Sequence, residues 1–371
     1  MRPNLCIVVA GLFRRRSEKA GVQSGSALVI ALITIAVLGI LVASMGFEAQ
    51  LQGRYARYVR NRTMATRYSL SGIEIAKMLM ARANGAPAGG GKTDEEDRWH
   101  LAAERLKLGQ SIIGLVEPIG DGYVILDIEP EPGRLNVNML TRDEWETILG
   151  NAGIPEDYFD AIIDPILDWI DADDTSNPEG AETEDYYSLL DPPYEAKNGP
   201  FDTVRELLLV KGFSEPILTG GTFDPLTVLG DPSAKKSSNV RFNRFSETND
   251  IVIAGIEGML TTYGDGKINI QSAPYDVLRT LPGVDDILAR AIMEERNMVD
   301  ENGDPDPFRS EADLFNRVDG LESSISSKIT VNSNFYRITA TGRSQNVEHQ
   351  VWCIAYADGK ELHFLRWVEE P

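Results

Sequence analysis

The chain has 371 residues, with 36 Lys and Arg against 57 Asp and Glu, a net charge of -21. Ten of the 36 cations but only two of the 57 acids lie in the first 67 residues, which leaves -29 on the rest, a field that repels nucleic acid and favours cations or basic surfaces. Two cysteines, Cys6 and Cys353, exclude a disulfide scaffold, and His100, His349 and His363 are scattered without metal-ligand spacing.

Arg14, Arg15, Arg16 and Lys19 precede 22 uncharged residues, Ser26 to Phe47. A helix of that length rises about 33 Å and crosses a bilayer. The basic flank keeps the N-terminal end cytoplasmic, so the chain is expected to cross a membrane once with the rest exported, which the resemblance named below makes the bacterial inner membrane and the periplasm. A secretory signal places its small-residue cleavage site after the apolar run. Here Ser24-Gly25-Ser26-Ala27 stands before it, so a cut between Gly25 and Ser26 leaves the anchor in place. That arrangement resembles a prepilin-type leader, removed by a prepilin peptidase; an uncleaved signal anchor is the alternative. No proline falls between Ser26 and Ala83, and Leu51, Tyr55, Tyr58, Val59, Met64, Leu70, Ile73 and Leu79 recur near helical spacing. Asn84-Gly85-Ala86-Pro87 ends the predicted helix.

Ala86 to Thr93 matches a loose phosphate-loop pattern, but it follows a helix and leads into Asp94-Glu95-Glu96-Asp97, which reads as a linker. Tyr123–Glu129 is a predicted strand. Two segments 133 residues apart then read alike, Arg134-Leu-Asn-Val-Asn138 and Lys267-Ile-Asn-Ile-Gln271. Each leads into helical segments, an acidic loop and a Pro-Phe pair, at Pro200-Phe201 and Pro307-Phe308. This order points to an internal duplication. The second copy has a helix–hairpin–helix look, which in other settings binds duplex phosphate through backbone N–H groups. Asp285 and Asp286 stand where phosphate would approach, so packing of helical hairpins is the expected use.

Between Asp171 and Asp185 lie seven carboxylates in fifteen residues. Hard oxygen donors at alternating positions, broken by Gly and Pro, suit Ca²⁺. The predicted ligands are Asp171, Asp173, Asp174, Glu182 and Asp185, completed by Asn177 or a backbone carbonyl. A second, weaker pattern is Asp300, Asn302, Asp304 and Asp306. At the C-terminal end, Phe335–Thr341, Glu348–Tyr356 and Glu361–Trp367 read as strands, with turns at Gly342 and Asp358-Gly359. No G-x-S-x-G, H-E-x-x-H or Cys/His pair appears, so no catalytic role is predicted.

The ordered set of leader and long helix, GRLNVN, DWIDADD with its EGAETEDYYSLLDPPYEAKNGPFDTVRELLLVKG continuation, and GKINIQSAP with LPG resembles the minor pseudopilin K family of type II secretion. The resemblance implies an α+β, pilin-like fold: a long N-terminal helix on a small antiparallel sheet, with a large helical domain inserted. The expected division is a leader at 1–25, the helix at 26–83, linker and first strands at 84–130, the inserted domain at 131–325 in two modules (131–220 and 264–325), and closing strands at 326–371. It implies a tip role in the pseudopilus, initiating or capping fibre assembly for protein export across the outer membrane. The implied partners are I- and J-type minor pseudopilins, the major pseudopilin, the prepilin peptidase and the inner-membrane assembly platform. Calcium in acidic loops is implied as well. Most pilins carry Glu at the fifth mature position; Ile30 stands there, as suits a subunit with no neighbour above it to pair that carboxylate. Two other readings are a membrane-tethered DNA-uptake protein using its helical hairpins and a tethered enzyme using an acidic pair.

Overall fold

The computed structural model describes residues 24–83, 94–228, 251–301, 305–358 and 361–370. The basic leader, Cys6, the phosphate-loop-like segment, Asn302 and Asp304 lie outside the described residues. The chain divides into two units, one ending at Arg60 and one running from Asn61 to Pro371.

The first unit consists of the early turns of α1 (Ser24–Ala83). Leu28, Ile33, Leu38, Ile40, Val42 and Phe47 are all more than half exposed. This segment is long and apolar enough to span a membrane.

In the second unit, α2 (Asp94–Lys107), β1 (Ile112–Ile119) and β2 (Gly122–Pro130) precede a long insertion. The insertion holds β3 (Leu135–Asn136), α3 (Arg142–Ala152), α4 (Phe159–Ile170), α5 (Glu215–Thr219), β4 (Gly221–Phe223) and α6 (Pro225–Val228). It continues with β5 (Ile251–Ile253), β6 (Leu260–Thr261), β7 (Ile268–Asn269), α7 (Tyr275–Leu278), α8 (Asp286–Glu295), α9 (Glu311–Arg317) and β8 (Ile329–Thr330). Strands β9 (Phe335–Ser344), β10 (Val347–Ala357) and β11 (Leu362–Glu370) follow. The five long strands form one antiparallel sheet in the order β1-β2-β9-β10-β11. The insertion therefore lies between two strands that are hydrogen-bonded neighbours, β2 and β9. This is the α+β class expected, and the three C-terminal strands fall where alternation placed them.

Every second residue of the sheet's inner face is apolar: Val124, Leu126 and Ile128 on β2, Ile338 and Ala340 on β9, Val351, Cys353 and Ala355 on β10. Ile73, Ala76, Leu79 and Met80 of α1 pack on them, joined by Ala102 and Leu106 of α2. Each fully buried large side chain here is worth about 1.5–3 kcal/mol. The helix approaches so closely that a Cβ on Gly72 would stand 2.7 Å from Val124 Cγ2 and 2.9 Å from Ala340 Cβ.

Two expectations are corrected. Gly342 is not a turn: it lies inside β9, and the chain reverses after Ser344, where Gln345 takes φ 54°. A Cβ at Gly342 would collide with Ala65 O on α1, so the glycine serves a close approach of helix to sheet. The acidic segment from Asp94, inside the 84–130 span expected as linker and first strands, forms α2, whose Trp99 Nε1 donates to Glu117 Oε1 at 2.8 Å.

The two alike segments make equivalent bonds. Each forms a short parallel ladder, β3 with β6 and β7 with β8. Asn136 Oδ1 accepts from Asn138 N at 3.1 Å, and Asn269 Oδ1 from Gln271 N at 2.9 Å. Asn138 bonds the backbone of Phe201, and Gln271 that of Phe308. The hairpin of the second copy offers phosphate little. Its Asp285 carboxylate caps α8, accepting from Ile287 N at 3.0 Å and Leu288 N at 2.9 Å, and Asp286 pairs with Arg279 at 2.7 Å.

Candidate metal centre

Helix α3 opens on a capping arrangement in which Glu144 Oε2 accepts from Thr141 N at 2.8 Å, and it closes at Gly153 with φ 92°. The turn delivers α4, an apolar helix whose two buried acids, Asp164 and Asp168, stand four residues apart. Spacing i, i+4 puts both carboxylates on one face. That face receives the acidic loop. Asp168 accepts from Asn177 N at 3.2 Å, Asn177 Nδ2 at 2.5 Å and Ala181 N at 2.8 Å. Asp164 accepts from Glu179 N at 3.1 Å and pairs with Arg142. Lys211 Nζ closes the far side on Glu179 O (3.1 Å) and Gly180 O (2.8 Å). Gly180 has no room for a side chain, because a Cβ would run into Asp168 Oδ2 and Asn177 N.

The folded loop turns Glu182 inward. It is only 3% exposed, yet neither of its carboxylate oxygens has a hydrogen-bond partner. Asp171 Oδ1 and Asn198 Oδ1 are likewise buried without a donor. Burial, then the charges of Asp168, Asp171, Asp174 and Asp185, push the Glu182 pKa up to about 7. Asp171 is also raised, by burial and by Asp173 beside it. Asp185 goes the other way: burial pushes it up, but hydrogen bonds from Ser176 Oγ and Glu182 N outweigh that and hold it low.

The predicted ligands therefore divide. The charges of Asp171 and Asp174 both act on Glu182, which stands at the centre. Asp173 Oδ1 accepts from Thr175 N at 2.9 Å, and Asp185 is spent on Ser176 and Glu182 N, so both also hold the loop's shape. Asn177 is bound to Asp168 through its backbone N and its Nδ2. Sequence reading missed Asp168 and Asn198. An acid inside the apolar run of α4 was the available signal for the first. The Asn198-Gly199 turn, with Asn198 at φ 47°, was the signal for the second. Asn198 Nδ2 donates to Asp173 O at 3.2 Å and to Asp174 Oδ1 at 2.9 Å, which ties that turn to the acidic loop.

Among the described residues no group of three or more His, Cys, Asp or Glu side chains is placed to hold a metal ion. Like charges facing one another repel, and a divalent cation would offset that repulsion. Orphaned oxygens on Glu182, Asp171 and Asn198, all hard donors, fit Ca²⁺ in kind. The second pattern fits less well. Asp306 meets Arg309 at 3.3 Å and Arg317 at 3.6 Å, which already balances its charge.

The Glu182 pKa has a consequence for the metal-free protein. Its value when folded, about 7, lies above the ordinary 4.5. The folded state thus binds this proton more tightly than the unfolded one, so the stability it confers is full below about 4.5 and is lost as pH rises through 7. In chelator, the midpoint of the wild type relative to that of Glu182→Gln is expected to fall over that interval, as read by thermal scans of both proteins in matched buffers. A difference that stays flat with pH would remove Glu182 from the centre of the cluster.

Residues 133–220 match the family model described as "Type II secretion system (T2SS), protein K". A relative from Pseudomonas aeruginosa, the type II secretion system protein K, is 28% identical over 203 residues, covering 51% of this chain and 57% of its own length. The chain thus spans little more than half of that relative. Among solved structures, the crystal structure of the GspK–GspI–GspJ complex from the enterotoxigenic Escherichia coli type 2 secretion system shares the fold. There the TM-score is 0.56 at 13% identity, over 85% of this chain and 99% of the other. The matched segment, 133–220, contains α3, α4 and the whole acidic loop. Through this helical segment the chain is similar to the type II secretion system protein K family.

Proposed function

We propose that the chain works as a minor pseudopilin at the tip of a type II secretion pseudopilus, where it initiates or caps fibre assembly with I- and J-type partners. One observation carries this reading: a helical insertion placed between two adjacent strands of a pilin-like sheet whose backing helix begins as a membrane-length apolar segment. The task is mechanical, with α1 as the anchor after removal of the leader at Gly25 and the insertion as the bulk that limits growth. Ile30 leaves the apolar segment without a carboxylate that would need a neighbour's amine. The DNA-uptake reading has no support here, since the hairpin N–H groups of the second module are taken by its own Asp285.

Calcium belongs to the proposal. Glu182, Asp171 and Asp174 would hold it, with Asn198 Oδ1 beside them, and the ion would supply the positive charge these oxygens lack. Asp164 and Asp168 keep the loop in position whether or not the ion is bound.

The test is co-expression of the full chain with I- and J-type minor pseudopilins, purification in detergent, and complementation of a secretion-defective strain lacking its own copy. A three-protein complex is expected, with this chain's mass corresponding to a start at Ser26, and Gly25→Leu should block both processing and secretion. Failure to co-purify, or a Gly25→Leu protein of unchanged mass and function, would overturn the reading.

A further inference from the structure

Between the end of α2 and the second module lies a cavity of about 230 Å³, lined by Arg105, Gln110, Ser111, Gln271, Ser272 and Arg296 among others. No acidic side chain among the described residues lines it. In a region carrying -29 this is out of keeping with its surroundings. Arg134, Arg142, Arg205, Arg279, Arg317 and Arg337 each meet a carboxylate. Arg296 does not. Its Nη1 donates to Ile270 O at 2.9 Å and Ala273 O at 2.7 Å, which are dipoles and not charges. Burial accordingly pushes its guanidinium pKa down. A half-buried charge with no counter-ion among the described residues is costly, and an anion reaching it recovers part of that cost.

The same cavity is lined by an acceptor without a donor. Gln271 is 4% exposed; its Nε2 donates to Phe308 O, while its Oε1 has no partner. The duplicated position shows how this group is otherwise satisfied. Asn138, its counterpart, spends both amide atoms on Phe201, donating to the carbonyl at 3.1 Å and accepting from the N–H at 2.7 Å. The open oxygen is peculiar to the second copy. Arg105, exposed in the last turn of α2, adds a second cation, and Gln110 Nε2 bonds Arg296 O at 3.3 Å, joining the two walls.

We propose that this cavity binds one oxyanion that carries its own hydrogen-bond donor, the anion facing Arg105 and Arg296 and the donor satisfying Gln271 Oε1. Two sources share that chemistry: free hydrogen phosphate, and a peptide C-terminus with its terminal N–H. The site is independent of the acidic loop and of any calcium bound there.

The detergent-solubilised full chain is titrated calorimetrically at fixed ionic strength, in chloride, with inorganic phosphate, acetate, triglycine acetylated at its N-terminus, and the same peptide amidated. Phosphate or the free-carboxylate peptide is expected to bind saturably, acetate and the amide more weakly. Arg105→Gln and Arg296→Gln should each weaken binding by about tenfold or more, the scale of a charged hydrogen bond. Arg205→Gln, an exposed arginine outside the cavity lining that pairs with Glu257, should leave it unchanged. Should Arg296→Gln fail to fold, the exposed Arg105 decides alone. Tighter binding of the peptide than of phosphate assigns the site to a chain end, and the reverse to a free anion. Saturable binding by none of the four probes, or binding that survives Arg105→Gln undiminished, overturns the proposal.

Discussion

Glu182→Gln is expected to stabilise the protein in chelator and to abolish its stabilisation by calcium. The two halves of this result pull in opposite directions, and that separates a cation site from a solvated acidic loop. Without metal, Glu182 is a buried carboxylate whose two oxygens lack partners and whose pKa has risen to about 7. Replacing it with a neutral amide removes repulsion from Asp168, Asp171, Asp174 and Asp185 at almost constant volume. With metal, the same change removes the central ligand. A ligand that binds only the folded state contributes about 2.7 kcal/mol at a hundred times its Kd. For a domain of this size that is a rise on the order of 5–10 °C. Thermal scans of the full chain in detergent, wild type and variant, with millimolar Ca²⁺ and with chelator, give the four midpoints. A variant less stable than wild type in chelator, or one that keeps the full calcium shift, would sink the assignment. Asp173→Asn should cost less of the calcium shift, because that carboxylate already caps Thr175 N.

What the sequence disclosed, and what it concealed, follows from the range of the forces involved. The long helix and the C-terminal strands were legible because each is written in local periodicity, and the duplicated module because its motifs recur in the same order 133 residues on. The acidic loop was legible as a cluster, and its grouping around one residue was not. Glu182 is central because Asp164 and Asp168, on another element, fold the loop so that it turns inward. Gly342 was misread as a turn for a related reason. A glycine's local preference for turns and its tolerance of a crossing helix give the same letter, and only the position of Ala65 distinguishes them. Helix α2 was passed over because its run of acids reads as solvated linker, while Trp99, Ala102 and Leu106 supply the face that holds it. The alike segments also diverge where one residue differs. Asn138 closes its amide pair and Gln271 leaves an oxygen open, a contrast visible only after both loops are placed.

Glu131→Ala should be the most destabilising single substitution between the sheet and its insertion. Glu131 follows β2 directly and is fully buried. Arg337 of β9 grips it with two bonds, Nε to Oε2 at 3.0 Å and Nη2 to Oε1 at 2.9 Å. Arg134 Nη1 adds a third at 3.3 Å, and Thr261 Oγ1 of β6 a fourth at 2.6 Å. One carboxylate thus ties the strand that leaves the sheet, the strand that re-enters it and a ladder inside the helical domain. Removing the carboxylate leaves Arg337 without its partner and Thr261 Oγ1 without its acceptor, while Arg134 keeps Glu129; breaking such a buried set costs about 3–5 kcal/mol. In a chain of this size the midpoint should fall on the order of 10 °C. Arg337→Ala should be similarly costly alone and add much less in the Glu131→Ala background, since the partner it served is gone. Hydrogen exchange supplies the local reading: amides of β3 and β6 should lose protection in Glu131→Ala more than those of β10. Additive losses in the double variant would mean that the two residues act apart, and that the insertion is held to the sheet by its apolar packing alone.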